Sequence, residues 1–181
     1  MLLNALKTLT QASPAQEPAR LFDIWRNAER RAAQGRYDDA VARVYRLLEW
    51  SAQWLLRTHC GIDTAAVPAD RIPEGITLTV NRKGQHQAGL FVAWQLVEQL
   101  TSGPASAFAK THLEAMRGRV EVRNQSILAH GFTPIAEAEW TEFSQWIKQH
   151  LMPMLLQETA SLRIREMPPQ LPKYPLEFAS T

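Results

Sequence analysis

Apolar side chains recur every three to four residues over most of this chain, a period that predicts helices packed on one another. Leu21, Trp25, Ala28 and Ala32 keep that spacing, and Gly35 follows where a left-handed cap is expected. A second, longer amphipathic helix carries Tyr37, Val41, Val44, Leu48, Ala52 and Leu55 on one side and ends near Cys60-Gly61. Asp38, Asp39, Arg43, Arg46 and Arg57 fall mostly off that side. Upstream, residues 1–11 predict a short helix, and Ser13, Pro14 and Pro18 a break. Between 62 and 86, Pro68, Pro73, Gly75 and Gly84 interrupt the period, and the alternation Ile76, Leu78, Val80 predicts at most a short strand or hairpin.

Helical spacing returns at Leu90, Trp94, Val97 and Leu100, stops at Ser102-Gly103 and resumes behind Pro104. Phe108, His112, Met116 and Val120 line this next helix, which runs into Arg123-Asn124-Gln125-Ser126-Ile127-Leu128-Ala129-His130. Gly131 reads as its C-cap. Thr133-Pro134 reads as N-cap and first position of a last helix, striped by Trp140, Phe143, Ile147, Leu151 and Met154 and kinked at Pro153. From Met167 onward, Pro168, Pro169, Pro172 and Pro175 favour an extended strap. The expected fold class is all-α, a bundle of four to five main helices with an irregular or hairpin insertion at 62–86. The expected organisation is a connector or N-terminal helix over 1–20, a helical domain over 21–160 and a proline-rich extension over 161–181.

One local pattern suggests a repeat. Gly35-Arg-Tyr37-Asp-Asp-Ala40, with Tyr45 and Leu48, resembles the junction of a tetratricopeptide repeat, which recurs about every 34 residues. Residues 69–82 hold no matching glycine, aromatic and alanine set, so the segment is a generic helical hairpin.

Composition narrows the chemistry. The chain has 181 residues and 45% hydrophobic content, enough for one sizeable core. Twenty Lys and Arg against 18 Asp and Glu give a net charge of +2, so any contact with nucleic acid must be local. The lone Cys60 excludes an intramolecular disulfide and a Cys-rich metal site and fits a reducing cytoplasm. The expected localisation is cytoplasmic, with no signal-peptide pattern at Met1–Lys7 and no run long enough to span a membrane.

Arg123 and His130 stand seven residues apart, about 700° on a helix, which places them on one side roughly 10 Å apart along the axis. Ser126 and Ile127 lie between them on that side, whereas Asn124 is about 120° away from His130 and is expected to steady the site. Arg117 and Arg119 extend a basic approach. RNA can be cut without a metal when its 2′-hydroxyl attacks the adjacent phosphorus, provided one group takes that proton and another protonates the leaving 5′-oxygen. Histidine, with an ordinary pKa of about 6.5, serves in either role near neutrality. The charge that develops on the phosphate oxygens calls for the fixed donor fork of an arginine. One motif supplies one histidine, so the expectation is a homodimer in which two motifs form a composite site.

The string R-N-Q-S-I-L-A-H-G resembles the catalytic segment of the HEPN superfamily, and more fully the HEPN effector half of CRISPR-associated ribonucleases of type III systems. Asn27 to Arg43 and Gly89 to Leu96 join the resemblance, which covers most of residues 20–160. It implies a HEPN-like bundle and a metal-independent endoribonuclease acting on single-stranded RNA in antiviral defence. On that resemblance Arg123 and His130 would be catalytic and Asn124 supporting, whereas Arg117, Arg119 and Ser126 are candidate substrate contacts by their place beside or within the motif. No cofactor and no metal are implied. Full-length relatives carry a CARF sensor domain that binds cyclic oligoadenylate, which residues 1–20 are too short to hold. The chain is therefore expected to be an effector fragment or a stand-alone variant, the sensor domain or partner lying outside it.

Two further readings share the fold: a catalytically silent HEPN interaction module, and the toxin half of a toxin and antitoxin pair. His59, His86, His112 and His150 lack the three- or four-residue spacing of a helical metal site, and His112 and His150 read as core-edge residues. The six tryptophans read as core or dimer packing rather than base-stacking platforms.

Overall fold

The computed structural model describes residues 7–124 and 134–170. Residues 7–10 are helical, and the side chain of Gln16 donates back to the Leu9 carbonyl at 3.1 Å. Helix α1, Gln16–Ala32, starts earlier than the apolar stripe suggests. Pro18 is not part of the break but lies buried in the first turn of α1, where a backbone N–H has no intrahelical acceptor and its absence costs nothing. Gly35, at φ 72°, turns the chain into α2, Tyr37–Cys60, and Gly61, at φ 66°, ends it. Both glycines sit in the left-handed region that a Cβ disfavours.

Helix α2 is the centre of the bundle, because its apolar stripe is wide enough to meet neighbours on several sides. It packs on α1, on α3 (Leu90–Leu100), on α4 (Gly103–Asn124) and on α5 (Glu137–Trp146). Val44, Leu47, Leu48, Ala52, Leu55 and Leu56 are all without exposed surface. Trp25 of α1 and Trp94 of α3 fill the spaces on either side, each burial contributing about 2–3 kcal/mol of transfer free energy. The one polar atom of the Trp94 ring is satisfied, since Nε1 donates to the Leu48 carbonyl at 3.1 Å. Five of the six tryptophans are buried, Trp50 being the partly exposed one.

The insertion between α2 and α3 is held by Ile62, Val67 and Leu78, which join the core. Its strand is shorter than the alternation of Ile76, Leu78 and Val80 predicts: β1, Thr79–Val80, pairs antiparallel with β2, His86–Gln87. This hairpin is the one sheet among the described residues, so the architecture is all-α.

The last helix departs from expectation at its start. Residues 134–136 are not helical and α5 begins at Glu137, because the first turn is closed by Glu139, whose Oε2 accepts the Ala136 N–H at 2.7 Å. Thr133, expected as the N-cap, lies outside the described residues. Helix α5 passes through a π turn, Ile147–Leu151, into α6, Met152–Glu158. The irregularity falls just before Pro153, which has no N–H to give and whose ring crowds the preceding turn. Counting this run as one rod, the described residues form five main helical rods. Beyond the 3₁₀ turn Ala160–Leu162, the chain lies along α1 in extended form: Arg26 Nε donates to the Pro168 carbonyl at 2.8 Å and Arg30 to Gln170 Oε1 at 2.6 Å. No helix among the described residues is long and apolar enough to cross a membrane.

Candidate functional site

Helix α4 carries most of the predicted chemistry and is fixed at several levels. Near its start the Ala105 N–H donates to Glu158 Oε1 at 2.9 Å, which occupies one of the donors a helix N-terminus leaves free. The other oxygen of Glu158 lies 2.9 Å from His59 Nε2. Halfway along, Ala109 and Met116 are fully buried, and the Phe108 ring meets that of Trp94 at 5.1 Å. Arg123 and Asn124 are the last two residues of α4, so the helix delivers the first part of the motif. Ser126, His130 and the expected cap Gly131 lie outside the described residues.

The chain returns on a second fixed post. Ile135 is buried, and its N–H points at the carboxylate of Asp38 in the first turn of α2, 3.4 Å from each oxygen. Between α4 and the start of α5 lies a cleft of 340 Å³, bounded by Gly118, Arg119, Ile135 and Phe143 and rimmed by Glu139 and Glu142. The two motif-flanking segments therefore meet at one end of the bundle.

Arg117 and Arg119 do not form one basic approach. Two residues on a helix are separated by about 200°, so they leave α4 on opposite flanks. Arg117 is half exposed, 3.6 Å from Glu114 and 5.7 Å from the Phe91 ring centroid on the α3 side. Arg119 faces α5: Nη1 donates to the Ala115 carbonyl at 3.0 Å, Nη2 to Glu142 at 3.2 Å, and the guanidinium lies 5.3 Å from the Trp146 ring centroid. The other arginines considered in the sequence each have a partner within the chain. Arg43 donates to Asn27 at 2.8 Å, Arg46 to Glu49 at 2.7 Å, and Arg57 pairs with Glu17.

The structure brings together two residues that helical spacing alone does not pair. His112 of α4 and His150 of the π turn are half-buried, with ring centroids 4.4 Å apart. Burial pushes the His112 pKa below its ordinary value, and the neighbouring His150 and Arg119 push it further the same way. The available signals were the i, i+7 spacing of His112 and Arg119 and the i, i+4 spacing of Trp146 and His150. Neither shows that the two stripes face each other. Cys60 is a satisfied thiol, donating to the Leu100 carbonyl at 3.3 Å, and burial raises its pKa although Arg71 opposes this. Among the described residues, no three His, Cys, Asp or Glu side chains gather as a metal site would require.

A family model described as the Csm6 HEPN domain matches residues 10–153. The matched span takes in α1 through the π turn, and with them Arg117, Arg119, the whole of Arg123 to His130, and His150. No curated protein and no solved structure matches the chain.

Proposed function

Because the chain belongs to the Csm6 HEPN family, we propose that it is a metal-independent endoribonuclease that cuts single-stranded RNA as an effector of CRISPR-associated antiviral defence. The observation that carries this reading is the family match over a span that contains the R-N-Q-S-I-L-A-H string. The structure adds support, because α4 runs unbroken to Asn124 and the chain is anchored again at Ile135. The residues on either side of the motif's remaining part are thus tied to the bundle.

In the proposed reaction the 2′-oxygen of one nucleotide bonds to the adjacent phosphorus while the bond from phosphorus to the 5′-oxygen breaks. The 2′-hydroxyl proton passes to a neutral imidazole, and the leaving 5′-oxygen takes a proton from an imidazolium. The products are a 2′,3′-cyclic phosphate and a free 5′-hydroxyl. Arg123 offers its fork to the non-bridging oxygens, where charge grows in the transition state. His130 exchanges the protons and Asn124 supports the pair. With one histidine per motif, the two proton transfers call for two motifs, so the active species is a homodimer with a composite site.

The test is incubation of the purified protein with single-stranded RNA in EDTA, comparing wild type with Arg123→Ala and His130→Ala. Cleavage by the wild type alone, with 2′,3′-cyclic ends, is expected. Equal cleavage by all three proteins, or cleavage only with a divalent ion, ends the assignment. Sedimentation under assay conditions checks the dimer, and an active monomer would remove the composite site.

A further inference from the structure

Around one indole ring the fold gathers three groups that carry, or can take, positive charge. Trp146 is buried at the end of α5. The guanidinium of Arg119 lies 5.3 Å from its ring centroid, His112 is 5.8 Å away edge-on, and His150 is 5.9 Å away. Phe108 closes the inner side, 5.0 Å from the His112 ring. These ring contacts hold the cluster in place.

The charge balance is unusual for a merely structural cluster. Among the described residues, His59 is the histidine with an acidic partner, and neither His112 nor His150 has an ion pair or hydrogen bond. Glu142 from α5 pairs with Arg119 through a side chain that is 74% exposed, and Glu114 of α4 and Glu139 of α5 line the same cleft as Arg119. From the π turn, Lys148 lies 3.3 Å from Glu29 of α1 and over the Trp25 ring, so it is committed elsewhere. The acid on α6, Glu158, is committed to Ala105 and His59. Arg119 Nε is buried and finds no acceptor among the described residues.

We propose that His112, His150 and Arg119 form an anion subsite that holds an RNA phosphate flanking the one to be cut. Arg119 precedes Arg123 by four residues, about one turn of α4, so a strand engaged at the end of the helix passes over this cluster. Base stacking is not part of the site, because the indole is buried under the cations. The proposal rests on the ribonuclease reading for its substrate. It adds a property which that reading lacks: burial, His150 and Arg119 all oppose protonation of His112, and a bound phosphodiester supplies the negative charge that favours it. Uptake of RNA is therefore linked to uptake of protons, and affinity rises as pH falls through the histidine range.

The experiment uses the full chain and an RNA methylated at its 2′-oxygens, which cannot be cleaved. Wild-type affinity is expected to rise about three- to tenfold from pH 8 to pH 6, an average uptake of about a quarter to half a proton over that range. The double variant His112→Gln, His150→Gln should bind with a flat pH profile. Arg119→Gln should lower the slope of log affinity against log salt by about 0.7, the loss of one single-strand phosphate contact. A wild-type measurement independent of any variant's folding is the proton NMR titration of the histidine rings, in which the His112 resonance should titrate at higher pH when this RNA is present. If the RNA leaves that titration unmoved, or the pH profile is already flat in wild type, the subsite is wrong. If inorganic phosphate moves it and RNA does not, the cluster takes a free anion and the RNA assignment is overturned. Cleavage of ordinary RNA by the wild type, run in parallel, tests the nuclease reading separately: an inactive protein with proton-linked RNA binding keeps the subsite and loses the enzyme.

Discussion

Glu158, the last residue of α6, accepts the backbone N–H of Ala105 in the first turn of α4, although 53 positions separate them in the sequence. The contact ties the helix that delivers Arg123 to the far end of the bundle. Its side chain is 93% shielded from solvent, so its loss strands the Ala105 N–H and also removes the partner of the more exposed His59.

Glu158→Ala should therefore destabilise the fold by about 1–2 kcal/mol, the range for losing a helix N-terminal acceptor. For a chain of this length that is roughly 3–8 °C in Tm, read by calorimetry. Glu158→Gln, which keeps an acceptor oxygen, should recover part of the loss. A full retention of Tm by Glu158→Ala would show that the contact contributes nothing.

Acid should loosen the protein through His112. In the folded state its pKa lies below the unfolded value of 6.5, because burial, His150 and Arg119 all oppose the charged ring. The unfolded chain then binds more protons at any pH between the two values, so stability rises with pH across that window. Wild type should lose stability as pH falls below about 6.5, and the loss should level off below the folded pKa. His112→Phe, which can still pack on Phe108 and Trp146, should flatten this part of the stability profile in urea titrations. An unchanged slope would assign the acid response to another group.

Gly118 lies inside α4, and a Cβ added there meets nothing within 4 Å. Its backbone is not in the left-handed region, so Gly118→Ala should stabilise the helix by about 0.5–1 kcal/mol through the lower entropy of the unfolded chain. A rise in Tm of about 1–4 °C is expected. A fall would show that the cleft needs the bare backbone.

Arg117 and Arg119 should part company under mutation. Arg117→Ala removes a half-exposed side chain with one weak acidic neighbour, and stability should stay within about 0.5 kcal/mol. Arg119→Ala removes a hydrogen bond to the Ala115 carbonyl, the contact with Glu142 and the stack on Trp146, at a cost of about 1–2 kcal/mol. RNA affinity should follow the same order. Equal effects of the two substitutions on unfolding would contradict the packing described for Arg119.

The helices were legible in the sequence because their cause is local. The spacing of Leu21, Trp25, Ala28 and Ala32, the left-handed glycines at 35 and 61, and the restart behind Pro104 depend on neighbours within a turn or two, and the structure has them as expected. Local reasoning failed where a distant residue or a competing cap intervened. Pro18 was tolerated inside a first turn, and Glu139 moved the start of α5 past Pro134. The motif from Arg123 to His130 was visible as a string, and its first two residues lie at the end of the predicted helix.

Which residues share a face of each helix can be read along the chain, since that follows from a fixed angle per residue. Which faces meet was decided only by packing: the approach of the π turn to α4 sets His150 against His112 and Arg119 over Trp146. Helical period is a property of a few consecutive peptide units, whereas the register between two helices is set by the side chains of the whole core, and above all by how they fill the space around α2.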